Sequence, residues 1–136
     1  MVLPEMLTLL VVEDNRDVRT IIKNELAVCP GHEIELFIPD NLNDVQQLIK
    51  MPEVFSLAFF DSDLSEWNTS IDGEKLAEEY VEHSHAPKDI VFDISSQLHR
   101  FDHIGIKHLG KTGLVYWIRA GFGEWPTNVC GMKEKN

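Results

Sequence analysis

Short apolar segments alternate with segments of helical period along most of this chain. Five segments have the composition of β-strands: 6–12, 32–38, 55–60, 89–94 and 104–109. The first and third are almost wholly apolar, as expected of strands that a sheet buries on both faces. The second alternates charged and apolar residues and the fifth contains Lys107, so both are predicted to lie nearer the edges of the sheet.

Amphipathic helices are predicted between these strands. The first begins after Asn15, ends at Pro30-Gly31, and has apolar residues at helical spacing: Val18, Ile21, Ile22 and Leu26. Asp40 or Asn41 can cap the second helix. Two later helical faces are Leu76–Val81 and Leu114–Ile118. The segment 96–103 is long enough for only a short helix.

Alternation of strands and helices with short connections predicts an α/β domain with right-handed crossovers. We expect a flavodoxin-like (βα)5 doubly wound parallel sheet with the strand order 2-1-3-4-5. A length of 136 residues suits one domain, predicted over residues 1–123. Residues 124–136 are predicted to form a C-terminal tail, with no output domain.

Polar side chains follow four of the predicted strands. Glu13 and Asp14 follow the first strand, Asp61 the third, Ser95 the fourth and Lys111 the fifth. Because the carboxyl ends of parallel strands lie at one edge of a sheet, these side chains could meet in one pocket. Clustered carboxylates with an ammonium and a hydroxyl suit a Mg²⁺-bound phosphoryl group accepted by a carboxylate.

The net charge and the cysteine content indicate which binding partners and which cellular compartment to expect. The formal charge of −11 argues against a nucleic-acid-binding surface, which needs Lys and Arg for phosphate contacts. Cys29 and Cys130 are the only cysteines and are predicted to be reduced. No signal peptide and no apolar stretch of about 18 residues is present, so a cytoplasmic protein without membrane association is expected.

The opening sequence resembles that of response-regulator receiver domains of the CheY-like superfamily. Residues 9–19 read LLVVEDNRDVR. The resemblance continues in order through Phe59-Phe60-Asp61, Asp72-Gly73, Ile94-Ser95-Ser96 and Gly110-Lys111. It therefore covers nearly the whole chain and implies a phosphoacceptor domain of two-component signal transduction.

The resemblance implies a role for each candidate residue. Asp61 would accept a phosphoryl group from a sensor histidine kinase or a phosphotransfer protein. Asp14 and Asp61, with Glu13 through water and the main-chain carbonyl of Asp63, would hold Mg²⁺. Ser95 would hydrogen-bond the phosphoryl oxygens and Lys111 would pair with them. Such a domain catalyses only its own phosphorylation and dephosphorylation and signals by contact with a downstream protein, as a monomer or weak dimer.

The chain departs from the receiver pattern at several positions. Asp72 follows Asp61 by eleven residues, whereas the family usually has about seven or eight, so this connection is longer. No proline follows shortly after Asp61, and Thr112 stands in place of the usual proline after Lys111. His108 stands where the family has an aromatic switch residue. In the family, the last two helices and the fifth strand form the face that contacts downstream proteins. These differences leave open whether this chain uses that face.

Three other motif interpretations remain open at this point. Asp61-Ser62-Asp63 resembles the motif of haloacid-dehalogenase phosphatases, which predicts a small Mg²⁺-dependent phosphatase using Asp61 and Asp63. Glu13 with Asp61 and Asp63 is similar to the acidic set of toprim nucleases and topoisomerases, although the acidity of the chain disfavours nucleic acid. Residues 105–112 match the P-loop pattern GxxxxGK[ST], but the intervening residues are predicted to be a strand.

Overall fold

Five parallel strands form one sheet in the order β2-β1-β3-β4-β5, which confirms the predicted order. The computed structural model describes residues 3–51, 55–96 and 100–123. The strands are β1 (Met6–Val12), β2 (Glu33–Phe37), β3 (Leu57–Phe60), β4 (Val91–Asp93) and β5 (Lys107–His108). As predicted, β2 and β5 are the edge strands. The predicted tail, 124–136, lies outside the described residues.

Four α-helices lie within the described residues: α1 (Arg16–Ala27), α2 (Leu42–Ile49), α3 (Gly73–Ser84) and α4 (Gly110–Arg119). The first three begin where a side-chain oxygen accepts a main-chain N–H three residues further on. These capping residues are Asn15, Asn41 and Asp72. Each cap pairs an N–H group that the first turn of a helix leaves without a partner.

The sheet is buried on both faces, as the apolar composition of β1 and β3 predicted. Leu10 and Phe60 pack with Tyr80 of α3 in one core layer. Leu9 and Phe59 pack with residues of α1 and α4 in the other layer. Alternate side chains of a strand point to opposite faces, so each strand contributes to both layers.

Several predicted boundaries were wrong near β4 and β5. The strand predicted over 104–109 is limited to Lys107–His108, because Asp102–Ile104 form a 3₁₀ turn. The strand predicted over 89–94 is limited to Val91–Asp93, because the preceding residues form another 3₁₀ turn. The described residues contain no α-helix between β4 and β5, so four α-helices are present there instead of five.

The first and last helices also differ from the prediction. Ile21, predicted on the apolar face of α1, is 53% exposed, whereas Arg19 is buried. The last helix begins at Gly110, so Lys111 lies in its first turn and not at the end of a strand. The face that α1 buries is set by tertiary packing, which local apolar spacing specifies only approximately. The last helix begins earlier because β5 ends at His108. No helix within the described part of the chain is long and apolar enough to cross a membrane.

Strand register aligns the residues that end the central strands. Phe60 of β3 lies opposite Val12 of β1 and opposite Asp93 of β4. The ladder continues one step further, because the Asp61 N–H donates to the Val12 carbonyl at 2.9 Å. The Ile94 N–H likewise donates to the Phe60 carbonyl at 3.0 Å. The residues that follow β1, β3 and β4 therefore lie side by side at the carboxyl edge.

Gly73 fixes the distance between α3 and the end of β3. Its N–H donates to the Ser62 carbonyl at 2.9 Å, and a Cβ at this position would overlap the Asp61 carbonyl group. We predict that Gly73→Ala lowers the free energy of unfolding by about 2 kcal/mol or more, since backbone must move to make room. Chemical denaturation measures this change. Glu82→Ala, at an exposed position of the same helix, is the matched control, and equal stability of the two variants would contradict the prediction.

Candidate functional site

Three buried carboxylates meet at the carboxyl edge of the sheet. Glu13 and Asp14 directly follow β1 and Asp61 directly follows β3; their exposed fractions are 1%, 7% and 5%. One carboxylate oxygen from each lies within 4.8 Å of the other two. The structure thus brings together the three acidic side chains that the sequence predicted.

The Lys111 ammonium lies among these carboxylates. Its Nζ is 3.2 Å from Asp61 Oδ1 and 3.4 Å from Glu13 Oε1. Nζ also donates a hydrogen bond of 3.1 Å to the Ile94 carbonyl at the end of β4. Although Lys111 belongs to a helix and not to a strand end, its long side chain reaches the predicted position.

Burial and mutual repulsion raise the pKa of two carboxyl groups. Burial, followed by the charge of Asp61, raises the pKa of Glu13 to about 7, although Lys111 acts in the opposite direction. Burial also raises the pKa of Asp61, and Asp14 and Asp63 add to this effect while Lys111 lowers it. The fully ionised cluster is therefore electrostatically unfavourable, and a single ammonium does not compensate for it.

The donor set fits a hard divalent cation. Glu13 Oε2 accepts the Asn15 N–H at 3.1 Å. The buried Glu13 Oε1 has no hydrogen-bond partner among the described residues and lies 3.4 Å from Lys111 Nζ. Three carboxylates within 4.8 Å supply the oxygen ligands that Mg²⁺ prefers, and a dication relieves their repulsion. The residues at this edge therefore fit a divalent cation.

The long connection between β3 and α3 covers one side of the acidic cluster. A 3₁₀ turn at Ser65–Trp67 brings the Glu66 N–H to Asp14 Oδ2 at 2.8 Å. The Glu66 carboxylate in turn accepts the Asn15 side-chain amide at 2.9 Å. Asp63 lies in the same connection, and a hydrogen bond from the Ser65 N–H lowers the pKa of its carboxyl group. The sequence predicted a longer connection but not the contacts that it makes.

Arg19 supports the acidic pair from behind. Its guanidinium is buried and donates to the Asp14 carbonyl at 2.7 Å and to the Glu13 carbonyl at 3.1 Å. The main chain that carries both carboxylates is therefore held to α1. Arg19 is not among the predicted site residues, because its only signal in the sequence is its position one turn after the Asn15 cap.

An open cleft of about 560 Å³ exposes the cluster to solvent. Its described lining includes Asp63 at the rim and Ser96 on the β4 side. Ser95, the predicted hydroxyl, is 1% exposed and does not line the cleft. The Ser95 N–H donates to Asp93 Oδ1 at 2.7 Å. The structure therefore places Glu13, Asp14, Asp61 and Lys111 together, with Asp63 lining the same cleft, whereas Ser95 is buried.

A second cation that the sequence analysis missed also lines the cleft. Arg100 follows β4 and donates from Nε to Glu74 Oε1 of α3 at 2.6 Å. The Glu74 carboxylate raises the pKa of Arg100. No local pattern marks Arg100, because it lies in an irregular segment whose path depends on tertiary contacts.

The carboxylate within β4 has a structural partner. Asp93 is completely buried, and its Oδ2 lies 2.8 Å from Nδ1 of His108 on the neighbouring strand β5. Together with the Ser95 N–H, His108 satisfies the hydrogen-bonding capacity that burial would otherwise leave unpaired. His108 is therefore held against the sheet by Asp93. Within the P-loop match at 105–112, β5 itself occupies Lys107–His108, so no loop of the P-loop type precedes α4.

Comparison with known proteins shows which fold this is. No protein-family model matches the chain, and no curated protein matches its sequence. Three similar solved structures are a CheY-like response-regulator receiver domain protein from Methanospirillum hungatei JF-1, the phosphorylated cyanobacterial phytochrome response regulator RcpA, and the Mn²⁺-bound form of the response regulator Rcp1.

These likenesses cover most of each chain at low sequence identity. The first has 18% identity and a TM-score of 0.60, and covers 85% of this chain and 92% of that one. RcpA has 15% identity and a TM-score of 0.62, covering 91% and 96%. Rcp1 has 14% identity and a TM-score of 0.61, covering 90% and 96%. The chain therefore has the fold of CheY-like receiver domains, and the resemblance seen in the sequence is confirmed at the level of the fold.

The raised pKa of Glu13 predicts a pH-dependent stability in the metal-free protein. Folding raises this pKa from 4.5 to about 7, so the folded state binds a proton more tightly than the unfolded state does. Stability contributed by protonated Glu13 is present below about pH 4.5 and is lost as the pH rises through 7. We predict that Glu13→Gln stabilises the protein at pH 8 by about 1–3 kcal/mol and much less at pH 5.

Urea unfolding in the presence of a chelator at both pH values measures this difference. Glu5→Gln, which removes an exposed carboxylate, is the control and is expected to change stability little at either pH. A stabilisation by Glu13→Gln that is equal at pH 5 and pH 8 would contradict the assignment of the raised pKa to Glu13.

Proposed function

We propose that this chain is a phosphoacceptor receiver of a two-component system, with Asp61 as the acceptor. The observation that carries the proposal is the Lys111 ammonium, 3.2 Å from Asp61 Oδ1 within a buried cluster of three carboxylates. The receiver-type fold places this cluster at the carboxyl edge of the sheet. The fold supports a signalling domain and not a classical enzyme.

Asp61 supplies the nucleophile of the proposed reaction. A carboxylate oxygen of Asp61 attacks the phosphorus of a phosphohistidine, a P–O bond forms and the P–N bond breaks. The electron pair leaves on the imidazole nitrogen, which takes up a proton from solvent. Asp61 must be ionised to react, and Lys111 favours that state by lowering a pKa that burial raises.

Glu13, Asp14, Asp61 and the main-chain carbonyl of Asp63 are the proposed Mg²⁺ ligands. Bound Mg²⁺ supplies positive charge that offsets the carboxylates and the phosphoryl oxygens. Arg19 orients the acidic pair through the carbonyls of Glu13 and Asp14. Ser95 is the proposed hydroxyl donor to the phosphoryl oxygens. The neighbouring Ser96 lines the cleft in this structure.

The partners follow from the proposed chemistry. A sensor histidine kinase or a phosphotransfer protein supplies the phosphoryl group in the cytoplasm. We propose that residues 1–123 form the receiver and that 124–136 form a tail. The signal leaves by contact with a downstream protein, with the receiver as a monomer or weak dimer.

The acceptor assignment predicts one acyl phosphate per chain. Incubation with Mg²⁺ and a small phosphodonor is expected to add one phosphoryl group, and Asp61→Asn is expected to abolish this addition. Intact mass before and after hydroxylamine treatment measures it, because hydroxylamine cleaves acyl phosphates. Asp17→Asn, at an exposed position of α1, is the control and is expected to keep the adduct. Persistence of the adduct in Asp61→Asn would refute the assignment.

The metal assignment predicts weaker Mg²⁺ binding when one carboxylate is removed. Asp14→Asn retains an oxygen that can accept the Glu66 N–H but removes one ligand charge. We expect an increase in the Mg²⁺ dissociation constant of about tenfold or more, measured by titration calorimetry. Asp17→Asn removes an exposed carboxylate of α1 and serves as the control for net charge. Equal effects of the two substitutions would argue against a site at Asp14.

Turnover separates the receiver from a phosphatase of the haloacid-dehalogenase type. A phosphatase that used Asp61 and Asp63 would release many phosphates per chain from added phosphomonoesters. A receiver is expected to modify itself once per slow cycle. Sustained release of phosphate that is lost in Asp61→Asn would favour the phosphatase.

A further inference from the structure

The cleft beside Asp61 contains a cation for which the proposed reaction has no role. Six acidic and two cationic side chains line the cleft among the described residues, and the cations are Lys111 and Arg100. Lys111 already contacts Asp61 and Glu13. Arg100 lies in the segment that connects β4 to β5 and is directed to a different partner.

Glu74 holds Arg100 in this structure. Arg100 Nε donates to Glu74 Oε1 at 2.6 Å, and Nη2 contacts the same oxygen. The Glu74 side chain is only 15% exposed, and His103 Nε2 lies 3.9 Å from its other oxygen. Glu74 does not line the cleft. The pair therefore connects the first turn of α3 to the irregular segment after β4.

Arg100 lines the same cleft as the proposed acceptor. Asp61, Asp63 and Lys111 line that cleft with it. Phosphorylation of Asp61 would replace one carboxylate charge by a phosphoryl group of about −2 with three acceptor oxygens. A guanidinium donates to such a group through two parallel N–H bonds, which are stronger than bonds between neutral groups.

We propose that Arg100 exchanges Glu74 for the phosphoryl group when Asp61 is phosphorylated. The inference rests on the proposed function and adds a structural change by which phosphorylation of Asp61 would reach α3. Arg100 is a positioning residue for the phosphoryl group and a link between that group and α3. When the exchange occurs, Glu74 keeps only the distant His103 contact among its described partners.

The exchange has a structural consequence at one surface. Phe101 and Ile104, which follow Arg100, belong to the core layer that contains Tyr80 of α3. Gly73, which precedes Glu74, lies against the main chain of Asp61 and Ser62. Loss of the Arg100–Glu74 pair removes the closest ion pair between the start of α3 and residues 100–104, and leaves the 3.9 Å contact of His103. We infer that this face, formed by the start of α3 and residues 100–104, changes on phosphorylation.

Opposite effects of two substitutions test the exchange. The probe is beryllium trifluoride with saturating Mg²⁺, which mimics a phosphoryl group on a carboxylate, and the readout is its half-saturating concentration by fluorine NMR. Arg100→Gln is expected to raise this concentration by about tenfold, since two charge-assisted hydrogen bonds are lost. Glu74→Gln is expected to lower it by about threefold, because Arg100 no longer has to leave a carboxylate.

The double variant and a distant ion pair complete the test. Glu74→Gln with Arg100→Gln is expected to match Arg100→Gln alone, because Glu74 acts only through Arg100. Arg119→Gln breaks an exposed Arg–Glu pair between α4 and α1 and is expected to leave the affinity unchanged. A purely structural pair would instead give affinities for Glu74→Gln and Arg100→Gln that equal the wild type or are weakened alike.

The outcomes distinguish failure of the proposed acceptor from failure of the Arg100 exchange. Beryllium trifluoride binding that persists unchanged in Asp61→Asn would overturn the proposed acceptor. Binding that requires Asp61 but is unaffected by Arg100→Gln would overturn only the exchange. Thermal unfolding of each variant without ligand shows whether it is folded. If Arg100→Gln is unfolded, the increase in affinity expected for Glu74→Gln alone decides the proposal.

Discussion

The Lys111 ammonium lies between the carboxylates of Asp61 and Glu13 and donates to the main-chain carbonyl of Ile94. These contacts connect α4 to the ends of β3, β1 and β4, so one side chain joins four elements at the carboxyl edge. A single ammonium does not neutralise three buried carboxylates, and the pKa of Glu13 is therefore raised to about 7. This repulsion lies at the position of the proposed cation and phosphoryl site.

The connections after β3 and after β4 both contact the site, and both differ from the receiver pattern described for the sequence. The long connection after β3 places the Glu66 N–H on Asp14 and its carboxylate on Asn15, so one side of the acidic pair is covered. The connection after β4 contains no α-helix in its described part and instead carries Arg100 to Glu74. An ion pair thereby links the first turn of α3 to a residue that lines the cleft.

The edge of the sheet next to α4 is stabilised by a buried polar pair. Asp93 Oδ1 accepts a hydrogen bond from the Ser95 N–H, and Asp93 Oδ2 lies 2.8 Å from His108 Nδ1. These two partners explain why a carboxylate can be buried inside an apolar strand. The short strand β5 has only two residues, so this side-chain contact adds to few main-chain bonds. His108 replaces the aromatic switch residue of the receiver pattern, and its contact with Asp93 holds the ring against β4.

The sheet order and the acidic cluster could be predicted from local signals. Apolar runs followed by Glu13, Asp14 and Asp61 mark the ends of parallel strands, and those ends must converge at one edge whatever the loops do. The tertiary structure decided that Ser96 lines the cleft, that Arg19 is buried while Ile21 is exposed, and which contacts Glu66 and Arg100 make. These features depend on helix phase and on the paths of irregular connections, which are set by packing between residues distant in the sequence and leave no periodic signal.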